Sequence, residues 1–125
     1  MNTIRQFILD QAQELSTRRL METSVKLLPV IVDHLHARRV WVFGSTARGT
    51  ATQDSDVDIF VECGHDFKDM RWLDRQEMGI VARSIAGKQG YRLPCDVIVW
   101  TSDEVAMDAP FWRTIQKEGM LIYER

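Results

Sequence analysis

Cysteine is scarce in this 125-residue sequence: there are two, Cys63 and Cys95, and their separation fits no metal-ligand spacing. They read as reduced thiols of a cytoplasmic protein. Long hydrophobic runs are missing too, for none reaches the ~18 to 20 residues of a membrane span. The opening stretch, MNTIRQFILDQAQEL, carries polar residues every few positions and no small-residue cleavage site, so no secretory signal is expected. A basic surplus is also absent: 16 Lys and Arg face 18 Asp and Glu, a net charge of −2. Proteins that grip a nucleic-acid backbone carry a basic stripe, so neither nucleic acid nor membrane is expected as a partner. A small anion held locally stays compatible with that balance. Internal repeats, low-complexity stretches and linkers are lacking as well. What remains is a chain 45% hydrophobic and 27% charged, the composition of one soluble globular domain over residues 1–125. A chain of this length buries roughly two-thirds of its unfolded surface and folds without staples.

Ile4, Phe7, Ile8, Ala12 and Leu15 fall at helical spacing and predict an amphipathic helix over 3–15. Leu20, Met21, Val25, Leu28, Ile31, Val32 and Leu35 predict a second over 18–36, kinked or broken at Pro29, since proline inside a helix costs about 3 kcal/mol. RVWVFG (39–44) is β-branched and aromatic and predicts a strand. SDVDIFVE predicts another, with Asp56, Asp58 and Phe60 on one face, and 68–88 a helix closing near Gly87 to Gly90. RLPCDVIVW is a third strand, and FWRTIQKEGMLIY a short helix ended by Gly119 with a last extended segment. The order helix, helix, strand, strand, helix, strand, helix describes a small α/β (α+β) domain with a short mixed sheet and flanking helices.

Asp56 and Asp58 lie one strand step apart, so their carboxylates share a face and repel. Asp96 is a lone charge in the apolar run CDVIVW, where burial is costly. Each has an ordinary reading: a turn in QDSD, a strand end, or a pair between Asp96 and Arg92. Together, three aspartates at strand starts suit a divalent cation, because Mg²⁺ takes hard oxygen ligands and substrate phosphate oxygens. Two such ions about 4 Å apart clamp the attacking and leaving oxygens of a phosphoryl displacement. Gly44 lets backbone approach a ligand, STARG reads as a helix's first turn, and Ser45 adds a hydroxyl; plain turn chemistry and an N-cap are the alternatives.

GSTARGTATQDSDVD, a glycine-serine pair followed after ten residues by Asp-x-Asp, resembles the nucleotidyltransferases of the DNA polymerase β-like superfamily. It is similar more narrowly to the minimal nucleotidyltransferase (MNT) domains of prokaryotes. The likeness takes in the CDVIVW strand and the closing IQKEGMLIYE, about residues 25 to 124. The resemblance implies the polymerase-β-like fold, with Gly44 and Ser45 holding a triphosphate and Asp56, Asp58 and Asp96 as catalytic and Mg²⁺-binding residues. It places Arg48 beside phosphate or acceptor, with an exposed helix arginine as the equal alternative. It implies two Mg²⁺ ions, ATP as donor and transfer of AMP to a hydroxyl. A chain this short has little room for a deep acceptor pocket, so the acceptor is expected on another macromolecule. Among MNT domains that points to an antitoxin that adenylylates a tyrosine of a HEPN-domain toxin. A small-molecule acceptor such as an aminoglycoside, or a non-catalytic binding antitoxin, are the competing readings, and self-association is left open. Residues 1–24 precede the usual minimal domain and read as a helical extension, either a docking helix or an extra layer of core.

The remaining candidates are ordinary. AGKQG (86–90) lacks phosphate-loop spacing and follows a helix. His34 and His36, and Cys63-x-His65, lack the partners of a zinc site. Trp41, Trp72, Trp100, Phe111 and Trp112 are expected to fill core, with Phe111 and Trp112 alternatively facing a partner.

Overall fold

The structure, a computed structural model, describes residues 3–64, 67, 69–88 and 95–125. A long helix α1 (Thr3–Leu35) leads into β1 (Arg39–Phe43), a single turn of helix α2 (Gly44–Arg48) and β2 (Val57–Glu62). There follow α3 (Trp72–Lys88), β3 (Cys95–Trp100), a short α4 (Ser102–Ala106), α5 (Pro110–Glu118) and β4 (Met120–Glu124). The four strands form one mixed sheet in the order β3-β2-β1-β4. β1 runs antiparallel to β2 and β4, whereas β2 and β3 are parallel.

Alternation along β2 sends its residues into two cores. Val57, Ile59 and Val61 pack under α1 with Leu27, Ile31 and Leu35. Phe60 points the other way, into a cluster with Val105, Trp112 and Ile115 that Trp41, Trp100 and Phe111 complete. Both faces of the sheet are thus covered, and the aromatics expected in the core are there with one exception. Trp72 is half exposed at the start of α3.

The two expected N-terminal helices are one. Pro29 lies inside α1 without breaking it. Leu27, Val30, Ile31 and Leu35 around it are all buried, and at roughly 1.5–3 kcal/mol per buried aliphatic side chain they outweigh the proline's ~3 kcal/mol. Ile4, Phe7, Ile8 and Leu15, near the start of the same helix, stay exposed. The short α4 was not expected, although TSDE carries its signal: Thr101 and Glu104 form a reciprocal capping box. α3 runs to Lys88, within the stretch where the helix was expected to close; residues 89–90, Arg92 and the first residues of RLPCDVIVW, and His65 lie outside the described residues.

α3 is fastened to the open edge of β3. The Gln76 side-chain amide donates to Val99 O (2.7 Å) and accepts from Val99 N (2.9 Å), standing in for a neighbouring strand. Three residues on, Gly79 packs so close to Val97 that a Cβ there would sit 3.3 Å from that side chain. Buried Arg75 adds bonds from the same helix to Met70 O and Glu104.

Candidate active site

Register places the expected residues in a row across the sheet. Phe43 of β1 pairs with Asp58 of β2, and Asp58 pairs with Asp96 of β3. Neighbouring partners in a sheet project to the same face, so the carboxylates of Asp58 and Asp96 stand side by side. Asp56 lies just ahead of β2, delivered by a turn in which Thr52 N donates to Ser55 Oγ (2.8 Å) and Ser55 N to Thr52 O (3.1 Å). The turn-rich QDSD and the Asp-x-Asp pair are therefore one device: the turn sets where the strand begins.

Gly44 follows Phe43 at φ +71°, a left-handed conformation that favours glycine. A Cβ there would lie 2.2 Å from Asp58 Oδ2. The missing side chain is what lets the carboxylate stand against the β1–α2 turn. Ser45 lies inside α2, and Phe43 occupies the N-cap position, so the N-cap reading of Ser45 does not hold. Its carbonyl receives Thr50 N at 2.9 Å, which closes the loop behind the turn. Among the described residues its hydroxyl has no partner.

The electrostatics are those of a gathered but uncompensated acidic group. Burial first, then the charges of Asp96 and Asp56, push the Asp58 carboxyl above its ordinary value of 3.8. The Arg48 guanidinium pulls it partway back. Arg48 also makes an exposed ion pair with Glu118 of α5 (3.6 Å). As they stand, no three His, Cys, Asp or Glu side chains among the described residues enclose a metal position. The donor set nevertheless fits Mg²⁺: carboxylate oxygens only, with Asp58 burdened by like charge that a cation relieves. His34 and His36 do not form such a group, and His36 instead packs on Phe67, ring centroids 5.1 Å apart.

Sequence reading missed a cleft of about 580 Å³ that opens beside the row of carboxylates. Phe43 of β1 and Asp58 of β2 line it together with Asp96, Val97 and Ile98 of β3 and Trp72, Gly79 and Ile80 of α3. The signal was an aromatic and an aliphatic, Trp72 and Ile80, on a helix that also presents buried Ala82. Without knowing which strand α3 lies against, that pattern reads as core. Buried Cys63 takes no part, its thiol pushed up to about 11 mainly by burial.

Comparison with known proteins agrees with this geometry. Residues 25–118 match the family described as nucleotidyltransferase domain. A crystal structure of a candidate nucleotidyltransferase from Sulfolobus solfataricus superposes with a TM-score of 0.65 at 27% identity, covering 91% of this chain and 88% of that one. A toxin–antitoxin structure with AMP-PNP aligns at TM-score 0.52 and 15% identity, over 80% of this chain and 72% of that one. A mutant of the toxin–antitoxin pair MntA–HpeT aligns at 0.50 and 16%, over 82% and 72%. At that identity the two complexes share the fold. No curated protein sequence matches this chain.

Proposed function

The chain belongs to the nucleotidyltransferase domain family, and from that premise we propose that it transfers AMP from ATP to a hydroxyl on a partner protein, acting as the antitoxin of a toxin–antitoxin pair. The observation that carries this reading is the row Phe43–Asp58–Asp96, with Gly44 making room for Asp58 at the mouth of the β1–α2 turn. A cluster of repelling carboxylates raises the energy of the protein by itself, and is explained by a site that handles cations and phosphates.

In this reading Gly44 and Ser45 hold the triphosphate, the glycine by admitting it to the backbone and the serine through its hydroxyl. Arg48 contributes positive charge on the same side. Asp56, Asp58 and Asp96 would hold Mg²⁺, which when bound neutralises charge on the phosphates. The acceptor oxygen bonds to the α-phosphorus as the bond from that phosphorus to the α,β-bridging oxygen breaks. Pyrophosphate leaves with the electron pair. Asp96, exposed at the edge strand, receives the hydroxyl proton or passes it to water.

A protein acceptor fits the small size of the chain and the exposed Ile4, Phe7, Ile8 and Leu15 of α1, an apolar surface that a partner would cover. The fold shared with two toxin–antitoxin structures, one of them with AMP-PNP, supports a toxin as that partner; the resemblance to MNT domains implies the HEPN class and a tyrosine acceptor. The test is incubation with labelled ATP, Mg²⁺ and the product of a neighbouring HEPN-type gene. Label is expected on the partner with the wild type and not with Asp56→Asn/Asp58→Asn. Transfer that survives the double substitution sinks the mechanism. Partner neutralisation that survives it without transfer shows a contact antitoxin instead.

A further inference from the structure

Arg48 stands between two sets of carboxylates. It lies one helical turn on from Gly44 in α2, which packs against β2. Gly44 sits directly against the Asp58 carboxylate, and the charge of Arg48 is felt there. Its guanidinium is nevertheless paired elsewhere, with Nη1 3.6 Å from Oε2 of Glu118. Among the described residues Glu118 is the carboxylate within ion-pair distance of it.

Glu118 is an odd residue for its own helix. It is the last residue of α5, where backbone carbonyls present the negative end of the helix dipole and repel a carboxylate. Lys117 just before it follows the ordinary preference. The helix also gives that carboxylate a fixed place. Trp112 and Ile115 bury α5 in the aromatic core. Gly119 N donates to Ile115 O at 2.7 Å, and a Cβ on Gly119 would lie 2.5 Å from that oxygen and 3.4 Å from the Trp41 ring. The chain leaves α5 by one tight path into β4, with Glu118 set beside α2. A charge that its own helix disfavours, on so fixed a post, is explained by what it holds.

The neighbouring row gives the hold a purpose. A guanidinium that closes on Asp58 and Asp56 takes the oxygens that a divalent cation needs. A carboxylate off the row competes for it. An exposed pair at 3.6 Å is weak and exchanges readily, so a triphosphate arriving at α2 takes the guanidinium over with its greater charge.

We propose that Glu118 is a positioning residue: it keeps Arg48 off the carboxylate row, leaving Asp56, Asp58 and Asp96 open to a divalent cation, and yields Arg48 to the incoming triphosphate. This rests on the nucleotidyltransferase reading above. Glu118 acts only through Arg48.

The test is Glu118→Gln, which keeps the shape of the side chain and removes its charge, read by binding instead of transfer. Glu118 is half-exposed, so the variant keeps the fold. Mn²⁺ binding, followed by electron paramagnetic resonance, is expected to weaken about threefold, because Arg48 then competes for the row. Binding of inorganic pyrophosphate in EDTA, followed by calorimetry, is expected to tighten about threefold, ~0.7 kcal/mol, because Arg48 is released to it. Loss of a merely structural contact would weaken both. On an Arg48→Gln background both shifts should vanish. Shifts of the same size there show that the charge of Glu118 acts directly on the ligands, and overturn the proposal. An unchanged Kd for either probe also overturns it, while the transferase reading stands where Asp56→Asn/Asp58→Asn still abolishes Mn²⁺ binding. The expected shifts without AMP transfer from ATP uphold the role of Glu118 and overturn the transferase reading alone. A wild type that binds neither probe overturns both.

Discussion

Gly44→Ala isolates the contact on which the site is built. Two effects combine at this position. The φ of +71° places any L side chain in the left-handed region, which costs roughly 1–2 kcal/mol, offset by about 0.4–1 kcal/mol from a stiffer unfolded chain. The added Cβ also lies 2.2 Å from Asp58 Oδ2, so the carboxylate must retreat by about 1 Å to reach an ordinary contact distance. Gly49→Ala is the internal control: its φ is +75°, and nothing lies within 4 Å of its Cβ. Gly49→Ala should lose about 1 kcal/mol, a fall of roughly 4 °C in Tm for a domain of this size, and Gly44→Ala at least as much. Only Gly44→Ala should lose function. A 1 Å displacement of a positioning group costs on the order of 10²-fold in rate, and Mg²⁺-dependent binding of an ATP analogue should weaken with it. The assays are thermal melts, nucleotide binding and AMP transfer, run side by side on the two variants. Equal activity in both would refute the claim that the absent side chain is what holds Asp58 in place.

The remaining expectations follow from single contacts. A carboxyl whose folded-state pKa is raised binds more protons in the native than in the unfolded protein, so in EDTA stability should fall as pH rises from about 3.8 through the raised value of Asp58. Asp58→Asn should flatten that slope and raise the Tm at neutral pH while abolishing transfer; an unchanged pH profile of Tm in the variant contradicts this. Gln76→Ala leaves the buried Val99 amide and carbonyl unpaired and should cost about 1–3 kcal/mol in urea melts. Gln76→Glu should recover little, because a carboxylate cannot donate to Val99 O, and full recovery would argue against the clamp. Cys63, its thiol pushed up to about 11, should resist iodoacetamide at pH 8 in the native protein and react once urea is added; rapid native labelling at Cys63 would show that its burial is not maintained.

Much of the site could be read along the chain because its signals are local. A positive-φ turn needs glycine, a turn needs QDSD, and two carboxylates at alternate positions of a strand share a face wherever that strand ends up. Asp96 was legible as an anomaly, a charge in an apolar run, but its register with Asp58 is a property of two strands separated by a helix. Pro29 shows the opposite case. Its local preference was clear, and burial of the surrounding face of α1 overrode it. Trp72 looked like core because an aromatic at helical spacing carries no mark of what it faces, and only the docking of α3 on the edge of β3 leaves it beside a cleft.

The sequence by itself determined the chemistry of the carboxylates and the glycine-serine turn, since residue type and spacing within one strand–turn–strand unit fix which groups share a face. The tertiary structure alone decided the order β3-β2-β1-β4, hence that Phe43, Asp58 and Asp96 stand in a row and share a cleft with Trp72 and Ile80. Strand order and helix docking are settled by long-range burial and edge hydrogen bonds, and no local stretch of chain encodes those.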